Sequence, residues 1–268
     1  MNIVYFITHA SLGVLHAELC FRALLLTDIK WDALFVYNTH QDELSNELLL
    51  AMVEKTQFPR IEILSYNHSS PKNLANDFLA VKNHAIGLKV GTGDKVLILK
   101  SDYVLSKGFS KAFRSLPDAN FIWTLPTANA KEFVSPEKIQ DYATRENFVP
   151  FDEITYYRGS DLFSPLLEAG LTKDESDPSI LFVSHNVKRD FNCHVISGDV
   201  LQSLQVTGDC LQATWGGLWD TFSQAYASGV NFIDLQSAFA VHVFHEVISK
   251  NRSSDRGDKR KCVMGQRY

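Results

Sequence analysis

Through its first hundred residues the chain alternates short apolar runs with stretches of helical spacing. "NIVYFIT" (2–8) is rich in β-branched and aromatic residues and predicts a buried strand. "LGVLHAELCFRALLLTD" (12–28) follows with Leu15, Leu19 and Leu26 near helical spacing. "DALFVYN" (32–38) predicts a second strand ending in Asn38, Thr39 and His40. "DELSNELLLAMVEKT" (42–56) opens with two acids, favourable at a helix N-terminus, and repeats Leu44, Leu48 and Met52. "RIEILSYN" (60–67) predicts a third strand. In "PKNLANDFLAVKNHAIGLK" (71–89), Leu74, Phe78, Val81, Ala85 and Leu88 recur every three or four residues, the stripe of an amphipathic helix. "GTGD" (91–94) stops that helix and "KVLIL" (95–99) is the fourth strand. The alternation predicts an α/β fold: a doubly wound, mainly parallel sheet with right-handed crossovers, flanked by helices.

Beyond residue 105 the pattern changes. "NFIWTLP" (120–126) is strand-like, and an irregular stretch with short helical pieces runs to about residue 180. "ILFVSHN" (180–186) and "FNCHVIS" (191–197) predict strands. "TWGGLWDTFSQAYASG" (214–229) reads as a Gly-rich turn entering a helix that Gly229 ends, and "NFIDLQSAFAVHVFHEV" (231–247) closes with strand-like segments. No repeat or Pro-rich linker divides the chain. We read residues 1–250 as one domain, with 1–105 its ligand-binding half and 106–250 a more variable half. Residues 251–268 are a basic, loosely ordered tail.

Ligands of doubly wound sheets lie outside the carboxyl ends of the parallel strands. Thr8, His9 and Ala10, then Asn38, Thr39 and His40, then Lys100, Ser101 and Asp102 all stand at such ends. They are expected to converge on one cleft. "VLILKSDYVL" (96–105) draws attention because a buried strand ends in a cation and a carboxylate two residues apart.

Composition narrows the function. Charged residues make up 21% of the chain, hydrophobic ones 45%, and the net charge of −5 argues against a general nucleic-acid binder. The four cysteines (Cys20, Cys193, Cys210 and Cys262) form no CxxC pair, which excludes zinc-ribbon and thioredoxin readings. Reduced thiols, an N-terminal stretch without a basic leader and the lack of a long apolar run predict a soluble, cytoplasmic protein with no transmembrane segment.

The layout together with four local motifs resembles the GT-A-fold glycosyltransferases, in the family-2-like branch, which use nucleotide sugars as donors. The fourth strand of that fold ends in an Asp-x-Asp signature. "VLILKSDYVLSKGF" matches its position with Lys100 at the first acid and Asp102 at the second. "ISGDVL" (196–201) resembles the family's acceptor-side loop, and "WGGLWD" (215–220) the acidic segment opening the last core helix. "VHVFH" (241–245) sits where the fold often carries a metal-binding histidine. The resemblance implies transfer of a sugar from a nucleotide-diphosphate sugar, read as a UDP-sugar, to a hydroxyl of a glycan or glycoconjugate acceptor with inversion. A GT-A-fold module that binds nucleotide sugar or glycan without turnover is the alternative.

The chemistry explains the residue types. A nucleoside diphosphate leaves readily only when its developing charge is neutralised, commonly by a divalent cation. The resemblance assigns Asp102 as metal ligand with His242 or His245 on the opposite wall, a set suited to Mn or Mg. Lys100 departs from the pattern. It either meets phosphate oxygens in place of the metal or turns into an ion pair. Lys82 is a further candidate contact for the diphosphate. The acceptor hydroxyl needs a general base, for which Asp220 is the first candidate and Asp209 the second. Asp220 reads equally well as a helix-start residue, which would leave the base elsewhere, for instance at Asp199. Trp215 and Trp219 offer faces for stacking an acceptor sugar, although core packing is the ordinary role of such residues.

Overall fold

The structure is a computed structural model of the 268-residue chain. It describes residues 1–8, 14–38, 47, 49–50, 58–65, 74–106, 108–125, 127–130, 154–157, 172–174, 177–183, 193–205, 221, 224–225, 227–235, 238 and 240–242. The basic tail and the predicted helix 42–56, apart from residues 47, 49 and 50, lie outside the described residues.

Among the described residues the predicted alternation is present. Strand β1 (Asn2–Ile7) leads to helix α1 (Val14–Leu25), then β2 (Ala33–Asn38), β3 (Ile61–Ser65), α2 (Leu74–Gly87) and β4 (Lys95–Lys100). Then come β5 (Tyr103–Leu105), α3 (Gly108–Ser115), β6 (Phe121–Thr124), β7 (Thr127–Ala130), β8 (Ile154–Tyr157), β9 (Thr172–Asp174) and β10 (Asp177–Val183). Strand β11 (Cys193–Ser197), α4 (Gly198–Ser203), β12 (Asn231–Leu235) and β13 (Ala240–His242) complete the order.

Two sheets result. The larger runs β3-β2-β1-β4-β11-β6-β12-β10-β9 and the smaller β5-β13-β7-β8. Its first four strands pair in parallel, and β6 and β12 are parallel to each other. Strand β11 is inserted antiparallel between β4 and β6. The sheet is therefore mixed, mostly parallel where the sequence alternates strand with helix, in a single α/β domain.

Burial on both faces explains why these strands read as continuous apolar runs. Alternate residues serve opposite sides. Val4, Phe6, Leu34, Val36, Leu97, Leu99, Val195 and Trp123 face a core closed by Phe21 and Leu24 of α1 and Phe109 and Phe113 of α3. Ile3, Tyr5, Phe35, Tyr37, Val96, Ile98 and Ile196 face the other, closed by Phe78, Val81 and Ala85 of α2 and Val200 and Leu201 of α4.

Three expectations change. Helix α3 stands in a stretch to which the sequence reading gave no helix, although Phe109, Ala112, Phe113 and Leu116 carry its stripe and are buried. The Phe109 ring stacks on Trp123 at 5.3 Å. The stretch to residue 180, expected to be irregular with helical pieces, contributes β7, β8, β9 and the start of β10. Its aromatic and β-branched "ITYY" segment finds β7 as its antiparallel partner, a long-range pairing that local pattern cannot show. Finally, "GDVLQS" is a helix, not a loop. No helix among the described residues is long and apolar enough to cross a membrane.

Candidate functional site

Strands β1, β2 and β4 end side by side. Ile7 is in register with Tyr37 on one side and Lys100 on the other. Just past β1, Thr8 donates its backbone N–H to the Tyr37 carbonyl at 3.0 Å. Its hydroxyl Oγ1 donates to the same carbonyl at 3.2 Å and lies 3.4 Å from Asn38 Oδ1. On the other flank, the Ser101 N–H donates to the Ile7 carbonyl at 2.9 Å. Five of the residues expected to converge, Thr8, Asn38, Lys100, Ser101 and Asp102, thus share one sheet end. All but the half-buried Lys100 are buried. His9, Ala10, Thr39 and His40 lie outside the described residues.

Lys100 and Asp102 serve different sides of this end. Lys100 continues the alternation of Val96 and Ile98, which face the α2 core. Asp102 lies in the turn that leads out of β4 and is only 4% exposed. Its charge acts on the buried Cys20 thiol of α1: burial first, and the Asp102 carboxylate second, push that thiol well above its ordinary pKa. Cys20 is accordingly held as an inert thiol, as is usual for a buried cysteine.

After Asp102 the chain enters the smaller sheet. Strand β5 pairs antiparallel with β13, so that His242 is in register with Tyr103, the residue next to Asp102. Val241 and His242, the described start of "VHVFH", thus run beside β5, the strand that follows the KSD turn. His245 lies outside the described residues. Among the described residues no three His, Cys, Asp or Glu side chains gather to hold a metal ion.

Two expected participants are elsewhere. The Lys82 ammonium donates to the Leu204 carbonyl, just beyond α4, and burial lowers its pKa. That contact ties α2 to the segment after α4 and occupies Lys82 away from the strand ends. "ISGDVL" lies at the opposite end of β4: Ser197 pairs with Lys95, and the Gly198 N–H donates to the Asp94 carbonyl at 2.9 Å. There Asp199 Oδ2 accepts the Asn120 N–H at 3.0 Å, at the start of β6. This motif is not an acceptor-side loop, and Asp199 is remote from the cleft. Its glycine answers a packing need, because a Cβ on Gly198 would stand 2.4 Å from the Gly91 carbonyl oxygen.

The base candidates Asp220 and Asp209, with Trp215 and Trp219, lie outside the described residues. The segment after Asp220 is helical at Thr221, Gln224, Ala225 and Ala227, and it ends at Gly229 with φ 82°. The Val230 N–H closes that end on the Ala225 carbonyl at 3.1 Å. Sequence reasoning passed over His194, which the register places opposite Ile98 on β4 and Thr124 on β6. A polar residue inside the apolar run "CHVI" was its visible signal.

No protein-family sequence model matches this chain, and no curated protein matches it in sequence. Solved structures match it in fold. GalNAc-T7, in a crystal structure with UDP, GalNAc and Mn2+, aligns with TM-score 0.57 at 9% identity, over 98% of this chain and 47% of that one. TarS 1–349 of S. aureus, in complex with UDP-GlcNAc, aligns with TM-score 0.50 at 12% identity, over 98% and 65%. The inositol-1-phosphate CTP transferase from T. maritima aligns with TM-score 0.46 at 12% identity, over 98% and 96%. The chain spans about half the length of the GalNAc-T7 chain and just under two thirds of the TarS chain. At such identities the likeness to GalNAc-T7 and TarS shows the fold, which is GT-A-like.

Proposed function

We propose that this chain is a glycosyltransferase that moves a sugar from a nucleotide-diphosphate sugar to an acceptor hydroxyl of a glycan or glycoconjugate, with inversion. The observation that carries this reading is the shared sheet end at which Thr8, Asn38 and the Lys100–Ser101–Asp102 turn adjoin, with β13 alongside. UDP-sugar is the favoured donor class, because the GalNAc-T7 and TarS structures of the same fold carry UDP and UDP-GlcNAc.

In this reading Thr8 and Asn38 contact the nucleoside, and Lys100 meets the diphosphate oxygens. A lysine ammonium lowers the cost of charge developing on a leaving diphosphate as a point charge. Asp102 and a histidine of "VHVFH" would hold Mn or Mg, should a metal take part. Asp220, or failing it Asp209, is the proposed general base that takes the acceptor proton. The test is incubation with a panel of nucleotide sugars and acceptors, read as release of free nucleoside diphosphate. Release with one donor supports transfer.

A second reading, a GT-A-fold module that binds nucleotide sugar without turnover, is favoured by one observation: Lys100 stands where the signature has its first acid. Binding of a nucleoside diphosphate with no release from any donor would select it.

A further inference from the structure

His194 occupies a place that the reading above leaves without a role. It lies at the start of β11, opposite Ile98, so Lys100 is its diagonal neighbour across the ladder. Ile196, two residues on, faces the α2 core together with Val96 and Ile98, which puts His194 and Lys100 on the same face. Diagonal pairs on one face lie about 7–8 Å apart between their Cα atoms, within reach of a long side chain. From the other side the Phe78 ring of α2 lies 5.9 Å from the imidazole. The ring is 1% exposed, and burial pushes its pKa down to about 3.

An uncharged imidazole on the face that it shares with a half-buried, diagonally placed lysine has two consequences. At that spacing the flat ring offers a surface on which the lysine stem can lie. It also adds no like charge, so the ammonium can stand at the sheet end without repulsion from below. An aliphatic residue would fill the volume without requiring polar partners for two ring nitrogens. The presence of histidine in this apolar run therefore points to its ring.

We propose that His194 is a positioning residue for Lys100, supporting its stem from β11 and aiming its ammonium past the end of β4 toward a phosphate oxygen of an anionic ligand. The proposal rests on the nucleotide-sugar reading above. Its test is a double-mutant cycle of Lys100→Met and His194→Phe, with His194→Gln as a second variant should the first fail to fold. Affinity for UDP, GDP, CDP and ADP is measured by calorimetry on the full chain. Coupling predicts that Lys100→Met weakens the best-bound diphosphate at least tenfold. Either His194 substitution weakens it several-fold when Lys100 is present and has no further effect in the Lys100→Met background. Independent, multiplying effects with binding intact would overturn the role of His194 alone. Absence of binding by the unsubstituted chain would overturn the nucleotide reading, and this proposal with it.

Discussion

Ser101 donates its backbone N–H to the Ile7 carbonyl at 2.9 Å, so the turn after β4 is pinned to the end of β1. Thr8, the next residue of β1's chain, is pinned in turn to Tyr37 at the end of β2. Backbone bonds thereby fix three strand ends relative to one another before any ligand arrives, and a preorganised site needs such rigid support.

The role of Asp102 follows from this position. Asp102→Asn removes a charge from a buried turn while keeping its shape, and is predicted to lower nucleoside diphosphate release at least ~100-fold with a cooperative melt retained. Product release measured beside a thermal melt checks it. Unchanged turnover would remove Asp102 from the chemistry.

Lys100 decides the metal question. If its ammonium takes the charge of the leaving diphosphate, Lys100→Met is predicted to cost at least ~10-fold in turnover, and activity of the unsubstituted chain survives EDTA. Complete loss on chelation, restored by manganese, would assign that charge to a cation.

The end of the sheet remote from the site offers a control. Gly198→Ala places a methyl 2.4 Å from the Gly91 carbonyl oxygen, a backbone atom with little freedom to retreat. The substitution is predicted to destabilise the fold by about 1–3 kcal/mol, as overpacking does, with diphosphate affinity unchanged in the folded fraction. Denaturant melts and binding on the same sample check both parts.

Two histidines, the buried His194 and the half-buried His84, give stability a pH dependence. Burial depresses His194 to about 3, and His84 in the same direction, with Glu62 partly opposing the shift at His84. His84 Nδ1 lies 2.9 Å from the Tyr5 hydroxyl. Each folded-state pKa lies below the unfolded value near 6.5, so unfolding takes up protons in the window between them. Stability is full above pH ~6.5 and falls as pH drops below it; for His194 the fall continues toward pH 3, by at most about 1.4 kcal/mol per unit, and His84 adds to it in the same direction. Melts from pH 7.5 to 4 are predicted to show this slope, and His194→Gln to flatten it.

Much of the first hundred residues was legible because strands buried on both faces leave unbroken apolar runs, and α2 carries a regular stripe from Leu74 to Ala85. The convergence of Thr8, Asn38 and Lys100 was legible too, since strand order alone puts parallel strand ends together. What escaped depends on long-range placement. "ISGDVL" looked like a site loop, yet the antiparallel entry of β11 carries it to the other end of β4. Lys82 sits on the polar side of a helical pattern, and only the position of Leu204 shows where its ammonium goes. Strands β7 and β8 depend on each other and on β13, which no local window contains.

The central claim is that the KSD turn and the ends of β1 and β2 hold a nucleoside diphosphate. A crystal of the chain grown with UDP and manganese tests it most directly. The account predicts diphosphate density within hydrogen-bonding reach of Lys100 and the nucleoside beside Thr8 and Asn38. Density bound elsewhere, with this sheet end untouched, would contradict it.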